Sequence, residues 1–270
     1  MTAPGDDFGL FGPGSMAWRL HLEPALLVGG LRALMIQALH PLAIAAVADH
    51  SNYKADVWGR YARTSNYVVT TIFGTTRQAE ALGVRVREVH RPIRGIDRVT
   101  GKPYAADDPE LLLWIHTTLV DSFIAAYRRF AEPLAPADAD RYVAEMVRQA
   151  ELVGLGAGAV PATEEANQRF IDGCRAQLMV TRAALEAVDT VLNPPLPPWR
   201  RPFWWVAGQA ALSLMPDFAL ELLGIRRNQL AEVAIRPLVR RGSALGRRHL
   251  RPPPVILQAQ RRMAEQRLTE

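Results

Sequence analysis

The sequence predicts an all-α protein, and three observations support that prediction. Apolar residues recur at helical spacing through nearly all of the 270 residues, and strand-like alternation is confined to a brief run at residues 66–73. Helix-start signals are strong, as in Asp108-Pro109-Glu110, where an aspartate cap precedes proline in the first turn. The hydrophobic share of 49% lets a chain of this length build a core that can enclose a ligand.

Glycine and proline divide the chain into segments. The predicted helices cover residues 23–40, 58–73, 76–91, 109–130, 140–152, 163–191, 203–214, 218–223 and 226–245. Pro41 kinks the first of these helices, Pro92 ends the third, and Pro237 interrupts the last. We expect a loop at residues 95–106 and a frayed helix from residue 255 onward.

The helices are expected to form one domain. The sequence shows no internal repeat, and the segment after the proline-rich connector is too short to fold alone. We therefore expect a flexible N-terminal segment at residues 1–15, one all-α domain at residues 16–250, and a basic C-terminal tail at residues 251–270.

Positive charge concentrates toward the C-terminus. Residues 221–270 contain eleven arginines and four glutamates, in a chain whose formal net charge is +5. Such a segment attracts nucleic acid or anionic lipid. Because no aromatic residues interleave with these arginines, we expect no nucleic-acid partner. A solvated basic surface and peripheral membrane association both remain open.

Two apolar segments also bear on whether the protein contacts a membrane. Residues 25–48 include Arg32 and His40, which are costly within a bilayer, so a buried, kinked helix is expected there. Residues 202–215 are rich in aromatic side chains and fit either a packed helix or a membrane surface. The first residues lack the basic start of a secretory signal, and a single Cys174 fits a reducing compartment. A cytoplasmic location, with membrane association left open, is the expectation.

Several classes of enzyme lack their sequence signals. The six histidines include no His-Glu-x-x-His motif, and the chain has neither a Gly-x-Ser-x-Gly motif nor a phosphate-binding loop. A lone cysteine also excludes a multi-cysteine metal site.

Arginine and histidine instead concentrate between residues 60 and 116. Two clusters stand out: Arg60-x-x-Arg63-Thr64 and Arg87-x-x-His90-x-x-x-Arg94. In a helix Arg87 projects beside His90, and Arg94 follows just past Pro92. Guanidiniums beside an imidazole favour its neutral form, which is the form that binds a metal. Because guanidiniums pair with carboxylates, the cluster fits a haem pocket with one proximal histidine and two propionates.

A purely structural interpretation of the same residues stays open. In it the arginines pair with Glu80, Glu88 or Asp97, and His90 is a hydrogen-bonded core residue.

The order and spacing of short motifs resemble the oxygenase family that joins fungal MpaB enzymes to bacterial latex-clearing rubber oxygenases. The resemblance covers about residues 11–227. Its motifs are His40-Pro41, Asp49-His50-Ser51, Gly59-Arg60-x-x-Arg63-Thr64, Phe73-Gly74, Arg87-x-x-His90-x-x-x-Arg94-Gly95, Tyr104-Ala105, Asp108-Pro109 and Trp114-Ile115-His116.

This resemblance implies a globin-like helical core that holds one haem b, with His90 as the proximal ligand of the iron. Arg60, Arg87 and Arg94 then contact the propionates, while Arg63 and Thr64 polarise bound dioxygen. Arg63 stands where rubber-cleaving members have a distal lysine, and a permanently protonated arginine does not ligate iron readily. Those members also use a distal acid, but residues 42–47 contain none, which argues against rubber as the substrate.

Two other histidines have a double interpretation. His116 lies on an apolar helix face and His40 at a predicted kink. The position of each is typical of a core histidine whose ring nitrogens are hydrogen-bonded. The motif around each also matches that of a residue that contacts the cofactor.

The function expected from the resemblance is haem-dependent oxygenation of an apolar small molecule such as an alkene, an isoprenoid or a lipid. Two alternatives remain open. One is a non-catalytic haem or lipid carrier on the same scaffold, and the other is a membrane-surface or partner-binding protein without haem. The oligomeric state is left undetermined by the sequence.

Overall fold

The computed structural model describes residues 7–51 and 55–269 and confirms the all-α prediction. Within these residues the α-helices are α1 Met16–His21, α2 Leu26–Gln37, α3 Pro41–His50, α4 Val57–Phe73, α5 Thr76–His90, α6 Pro109–Phe130, α7 Pro136–Leu152, α8 Glu164–Cys174, α9 Arg182–Leu192, α10 Arg201–Ser213, α11 Asp217–Leu223, α12 Gln229–His249 and α13 Pro254–Thr269. Three short 3₁₀ turns lie at Ala157–Ala159, Arg175–Gln177 and Pro198–Arg200.

The predicted caps are present where helices start. The Asp108 side chain accepts a hydrogen bond from the backbone N–H of Glu110 and begins α6. Thr75 and Gln78 form a reciprocal capping box at the start of α5. These starts were predictable because a cap depends on residues only two or three positions apart.

The structure corrects three expectations. Residues predicted as a loop contain an antiparallel hairpin of β1 Arg94–Ile96 and β2 Pro103–Ala105, with Arg94 opposite Ala105. The single helix predicted at residues 163–191 is two helices, α8 and α9, separated by a 3₁₀ turn. Pro237 lies inside a continuous α12 rather than interrupting it.

The centre of the fold is the contact between α2 and α6. Gly29 of α2 lies so close to α6 that an added Cβ would be 2.8 Å from the Ser122 carbonyl oxygen. Three residues further along α2, Arg32 is buried and bridges Asp121, Ser122 and the Leu214 carbonyl. Glycine at position 29 thus allows the close approach that this polar network requires.

A second packed region joins α1 and α4 to α6 and α7. The Trp18 indole donates to the Ile72 carbonyl over 2.8 Å and so ties α1 to the end of α4. Ile256 and Ala259 of α13 are buried in the same cluster, so the segment after residue 251 packs on the domain as a helix. Asp7 accepts hydrogen bonds from Thr76 and ties the N-terminal segment to α5.

No single helix among the described residues is long and apolar enough to cross a membrane. Two bent helix pairs satisfy the same criteria of length and composition together, α2 with α3 and Pro198–Ser213 with α11. The α2–α3 pair is largely buried in the core, which agrees with the expectation of a kinked, packed helix.

Candidate functional site

The C-terminal end of α3 is the junction on which the candidate site is built. The Tyr104 hydroxyl donates to Asp49 over 2.7 Å, which joins the β-hairpin to α3. His50 hydrogen-bonds through Nε2 to the Arg94 carbonyl over 3.2 Å. Arg60 of α4 donates to the Ser51 hydroxyl over 2.5 Å. Three separate segments that carry arginine and histidine motifs therefore meet at one helix end.

His90 is the last residue of α5 and is half-buried. Its Nδ1 atom is buried and has no hydrogen-bond partner among the described residues. Burial lowers the pKa of the imidazole, and the carboxylate of Asp107 opposes that effect. Desolvation therefore favours the neutral ring, whereas the sequence had attributed that preference to neighbouring guanidiniums.

Asp107, which acts electrostatically on this imidazole, forms an ion pair with Arg94. Arg94 Nη2 and Asp107 Oδ2 are 2.8 Å apart, and the Arg94 side chain is about half exposed. The acid that pairs with Arg94 is therefore Asp107, whereas Asp97 accepts hydrogen bonds from Thr100 in its own loop. An exposed guanidinium with a single carboxylate partner remains able to contact a second anion.

Arg87 faces the end of α7 and the middle of α4. It donates a hydrogen bond to the Leu152 carbonyl and acts electrostatically on Tyr67. The Tyr67 hydroxyl is buried without a partner in the described part of the chain, and burial raises the pKa of this phenol. Arg87 also lines a groove of about 660 Å³ between the N-terminal segment, α5 and α7.

Arg63 and Thr64 are exposed on α4, the helix that packs against α5. Arg63 forms an ion pair with Asp56 at 3.0 Å. The hydrogen bond from Arg63, followed by one from the Gly59 backbone, lowers the pKa of Asp56. These contacts hold the Arg63 guanidinium near the start of α4, one turn before Tyr67.

His40 and His116 are both buried, at 5% and 7% exposure. His40 is the N-cap residue of α3, and its ring lies 6.0 Å from that of Trp114. Its Nδ1 atom is also buried without a hydrogen-bond partner in the described ranges. Burial lowers the pKa of His40, against a hydrogen bond with Gln177. Burial lowers the pKa of His116 to about 4. Both rings are therefore neutral at pH 7.

Sequence analysis did not identify Tyr67 or Asp107 as site residues. Tyr67 follows Arg63 by four residues, so the helical spacing carried a signal that they share a face. Asp107 directly precedes the Asp108-Pro109 motif, but its ion pair with Arg94 spans the hairpin, and no pattern of neighbouring residues predicts such a contact. His50, named from the sequence only as part of the Asp49-His50-Ser51 motif, connects α3 to β1.

At this site burial favours the neutral form of the His90 imidazole, and Arg60 and Arg94 lie on the neighbouring segments α4 and β1. No group of three or more His, Cys, Asp or Glu side chains in the described ranges could hold a metal ion. One histidine suffices when a cofactor supplies the other ligands of the metal, as haem does. Burial raises the pKa of the Cys174 thiol, which disfavours the thiolate that an iron ligand would need.

The family model described as ER-bound oxygenase mpaB/B'/Rubber oxygenase, catalytic domain, matches residues 18–244. No curated protein and no solved structure matches the chain at the same standard of significance.

Proposed function

We propose that this chain, which belongs to the mpaB/B'/rubber oxygenase catalytic-domain family, is a haem-dependent oxygenase with His90 as the protein ligand of the iron. An oxygenase role follows from the family, which covers most of the chain. Dependence on haem b, the identity of the ligand and the class of substrate are our proposals.

The observation that carries the proposal is the unpartnered, buried Nδ1 of His90. A buried imidazole nitrogen without a hydrogen bond loses the solvation it had in water, which destabilises the folded protein unless a ligand compensates. Coordination of a metal would compensate, and the lowered pKa keeps a nitrogen lone pair available for it.

The surrounding arginines fit the carboxylates of haem. Arg60, Arg87 and Arg94 come from α4, α5 and β1, and we propose that they pair with the two propionates. Arg94 would then contact a propionate and keep its ion pair with Asp107, because one guanidinium can pair with two carboxylates. We assign His40 and His116 to the surroundings of the cofactor.

A bound haem b supplies the iron that activates dioxygen. Arg63 and Thr64 would donate hydrogen bonds to dioxygen at this site, since both are exposed on the helix that packs against α5. Arg63 remains protonated and therefore serves as a hydrogen-bond donor rather than a ligand. We propose an apolar substrate such as an alkene, an isoprenoid or a lipid, and a cytoplasmic location with peripheral membrane association.

The direct test is the absorption spectrum of purified protein before and after dithionite. We expect a Soret band in the wild type and its loss or shift in His90→Ala. His40→Ala is the comparison variant, because His40 also has a buried, unpartnered Nδ1 atom among the described residues, and as a neighbour of the cofactor it should change the spectrum less than His90→Ala does. An unchanged spectrum in His90→Ala, or loss of haem only in His40→Ala, contradicts the ligand assignment.

A non-catalytic haem carrier would give the same spectrum, so the two functions are distinguished by measuring turnover. An oxygenase consumes dioxygen when an unsaturated lipid or isoprenoid is added to the reduced protein, whereas a carrier does not. Arg63→Ala should slow that consumption while leaving the haem content unchanged.

A further inference from the structure

Large aromatic side chains are exposed together where α10 begins. Trp199, Phe203 and Trp205 are 65%, 76% and 58% exposed and fall within seven residues. Trp58 at the start of α4 adds a fourth ring, at 37% exposure. We call these four residues the aromatic surface. Exposure of so many rings in one place is unusual for a protein that meets only water.

The aromatic surface is held in place by its half-buried neighbour, Trp204. The Trp204 indole N–H donates to the Val191 carbonyl over 2.9 Å, and its ring lies 5.3 Å from that of Trp58. Phe203 and Trp205 precede and follow Trp204, each about 100° around the helix from it, so they project from the two flanks of α10 while Trp204 packs inward. Their exposure is therefore set by packing.

The segment around the start of α10 carries only positive charge. Residues 190–216 contain no aspartate or glutamate and include Arg200 and Arg201. The Arg200 guanidinium lies over the Trp199 ring, 4.5 Å from its centroid. Exposed indoles between guanidiniums match the headgroup region of a bilayer, where the ring sits among the lipids and the cation contacts phosphate.

We propose that the aromatic surface docks this protein on an anionic lipid bilayer. A second copy of the chain fits less well, because a two-fold contact would enclose Arg200 and Arg201 of both copies in an interface to which residues 190–216 bring no carboxylate. This docking is independent of the proposed haem function. If that function also holds, an apolar substrate would arrive from the bilayer beside Arg60 and Arg63, which lie in the first two turns of α4 after Trp58.

The proposal is tested by flotation of the full-length protein with two vesicle types, phosphatidylcholine alone and phosphatidylcholine mixed with phosphatidylglycerol. We expect binding to the anionic vesicles, a blue shift of tryptophan emission on binding, and weaker binding in high salt. Arg200→Gln/Arg201→Gln should weaken binding to anionic vesicles by ~25-fold, since each charge near the surface contributes about fivefold.

Phe203→Glu/Trp205→Glu should abolish binding. The matched control is Leu230→Glu/Val233→Glu, because these α12 side chains are also exposed, at 85% and 72%, but lie outside the aromatic surface. The control should bind like the wild type, and all variants are first checked for an unchanged helical spectrum and melting temperature.

Three results would overturn the proposal. The first is equal loss of binding in the control variant, and the second is no binding of the wild type to either vesicle. The third is a dimer in analytical ultracentrifugation that Phe203→Glu/Trp205→Glu dissociates without any wild-type vesicle binding, which would assign the surface to a second copy. None of these readouts requires haem, so failure here leaves the proposed oxygenase function untouched.

Discussion

The central packing of α2 and α6 and the candidate site at the end of α5 use arginine in opposite ways. The Arg32 side chain is 6% exposed, and each of its three nitrogens has a partner: Asp121 at 2.7 Å, Ser122 at 2.6 Å and the Leu214 carbonyl at 2.7 Å. Arg94 is 56% exposed and is paired with Asp107. The first guanidinium is enclosed by the protein, whereas the second is accessible to a ligand.

Histidine shows the same contrast between the two regions. His21 Nε2 lies 2.9 Å from the Tyr142 hydroxyl, and its ring packs edge-on against Phe123. His90 instead has a buried Nδ1 without a partner in the part of the chain described. A buried polar group with partners stabilises the fold, whereas one without them indicates that a ligand is expected there. Whether a buried polar atom has a hydrogen-bond partner, more than the residue type, thus distinguishes structural residues from candidate ligands in this comparison.

Replacement of the two arginines tests the comparison most strongly. Arg32→Ala removes a buried cation, leaves the partly buried Asp121 carboxylate without its ion-pair partner, and should lower the free energy of unfolding by ~3–5 kcal/mol. Arg94→Ala removes an exposed ion pair and should lower it by less than ~1 kcal/mol. Urea unfolding of haem-free protein measures both, and similar losses in the two variants would contradict the distinction.

Replacement of the two histidines by leucine should give unequal effects. His21→Leu leaves the buried Tyr142 hydroxyl without its partner and should cost ~1–3 kcal/mol of stability. His90→Leu removes a buried nitrogen that has no partner among the described residues, so the haem-free protein should change by less than ~1 kcal/mol. Thermal and urea unfolding provide the comparison. A larger loss for His90→Leu than for His21→Leu would show that His90 is structural.

Acid should destabilise the protein through His21. Burial lowers the pKa of His21 to about 3, so as pH falls below 6.5 the unfolded chain binds a proton before the folded protein does. The stability that His21 contributes is therefore complete above pH 6.5 and is lost as pH falls toward 3, by ~1.4 kcal/mol per pH unit. Urea unfolding at pH 7 and pH 5 should show a smaller loss in His21→Gln than in the wild type. Equal losses would contradict the assignment to His21.

The smallest effect on stability is expected at the surface of α4. Arg63→Ala removes an exposed ion pair with Asp56 and should change the free energy of unfolding by ~0–1 kcal/mol. Asp56→Ala also removes the cap of α4 and should cost ~1 kcal/mol more. Circular-dichroism melts distinguish the two variants. A large loss in Arg63→Ala would place Arg63 in the structural class with Arg32.

Prediction from sequence succeeded where the interactions are local. The caps of α5 and α6 were predictable because Thr75 and Asp108 contact residues only two or three positions away. The break between α8 and α9 was missed because it depends on a distant contact, in which the Met179 N–H donates to the Leu39 carbonyl at the α2–α3 break. The β-hairpin was missed because three-residue strands have too few positions to show a period.

The amino-acid order alone specified the helical class, most helix starts and the motifs shared with the oxygenase family, since each of these rests on residues near one another in the chain. The partners of buried polar atoms came only with folding. Tyr142, which satisfies His21, is 121 positions away from it, and Asp121, which satisfies Arg32, comes from a different helix. Because folding brings such partners to His21 and Arg32 and leaves the Nδ1 atoms of His90 and His40 without one in the described structure, tertiary packing is what separates these two imidazoles from their structural counterparts.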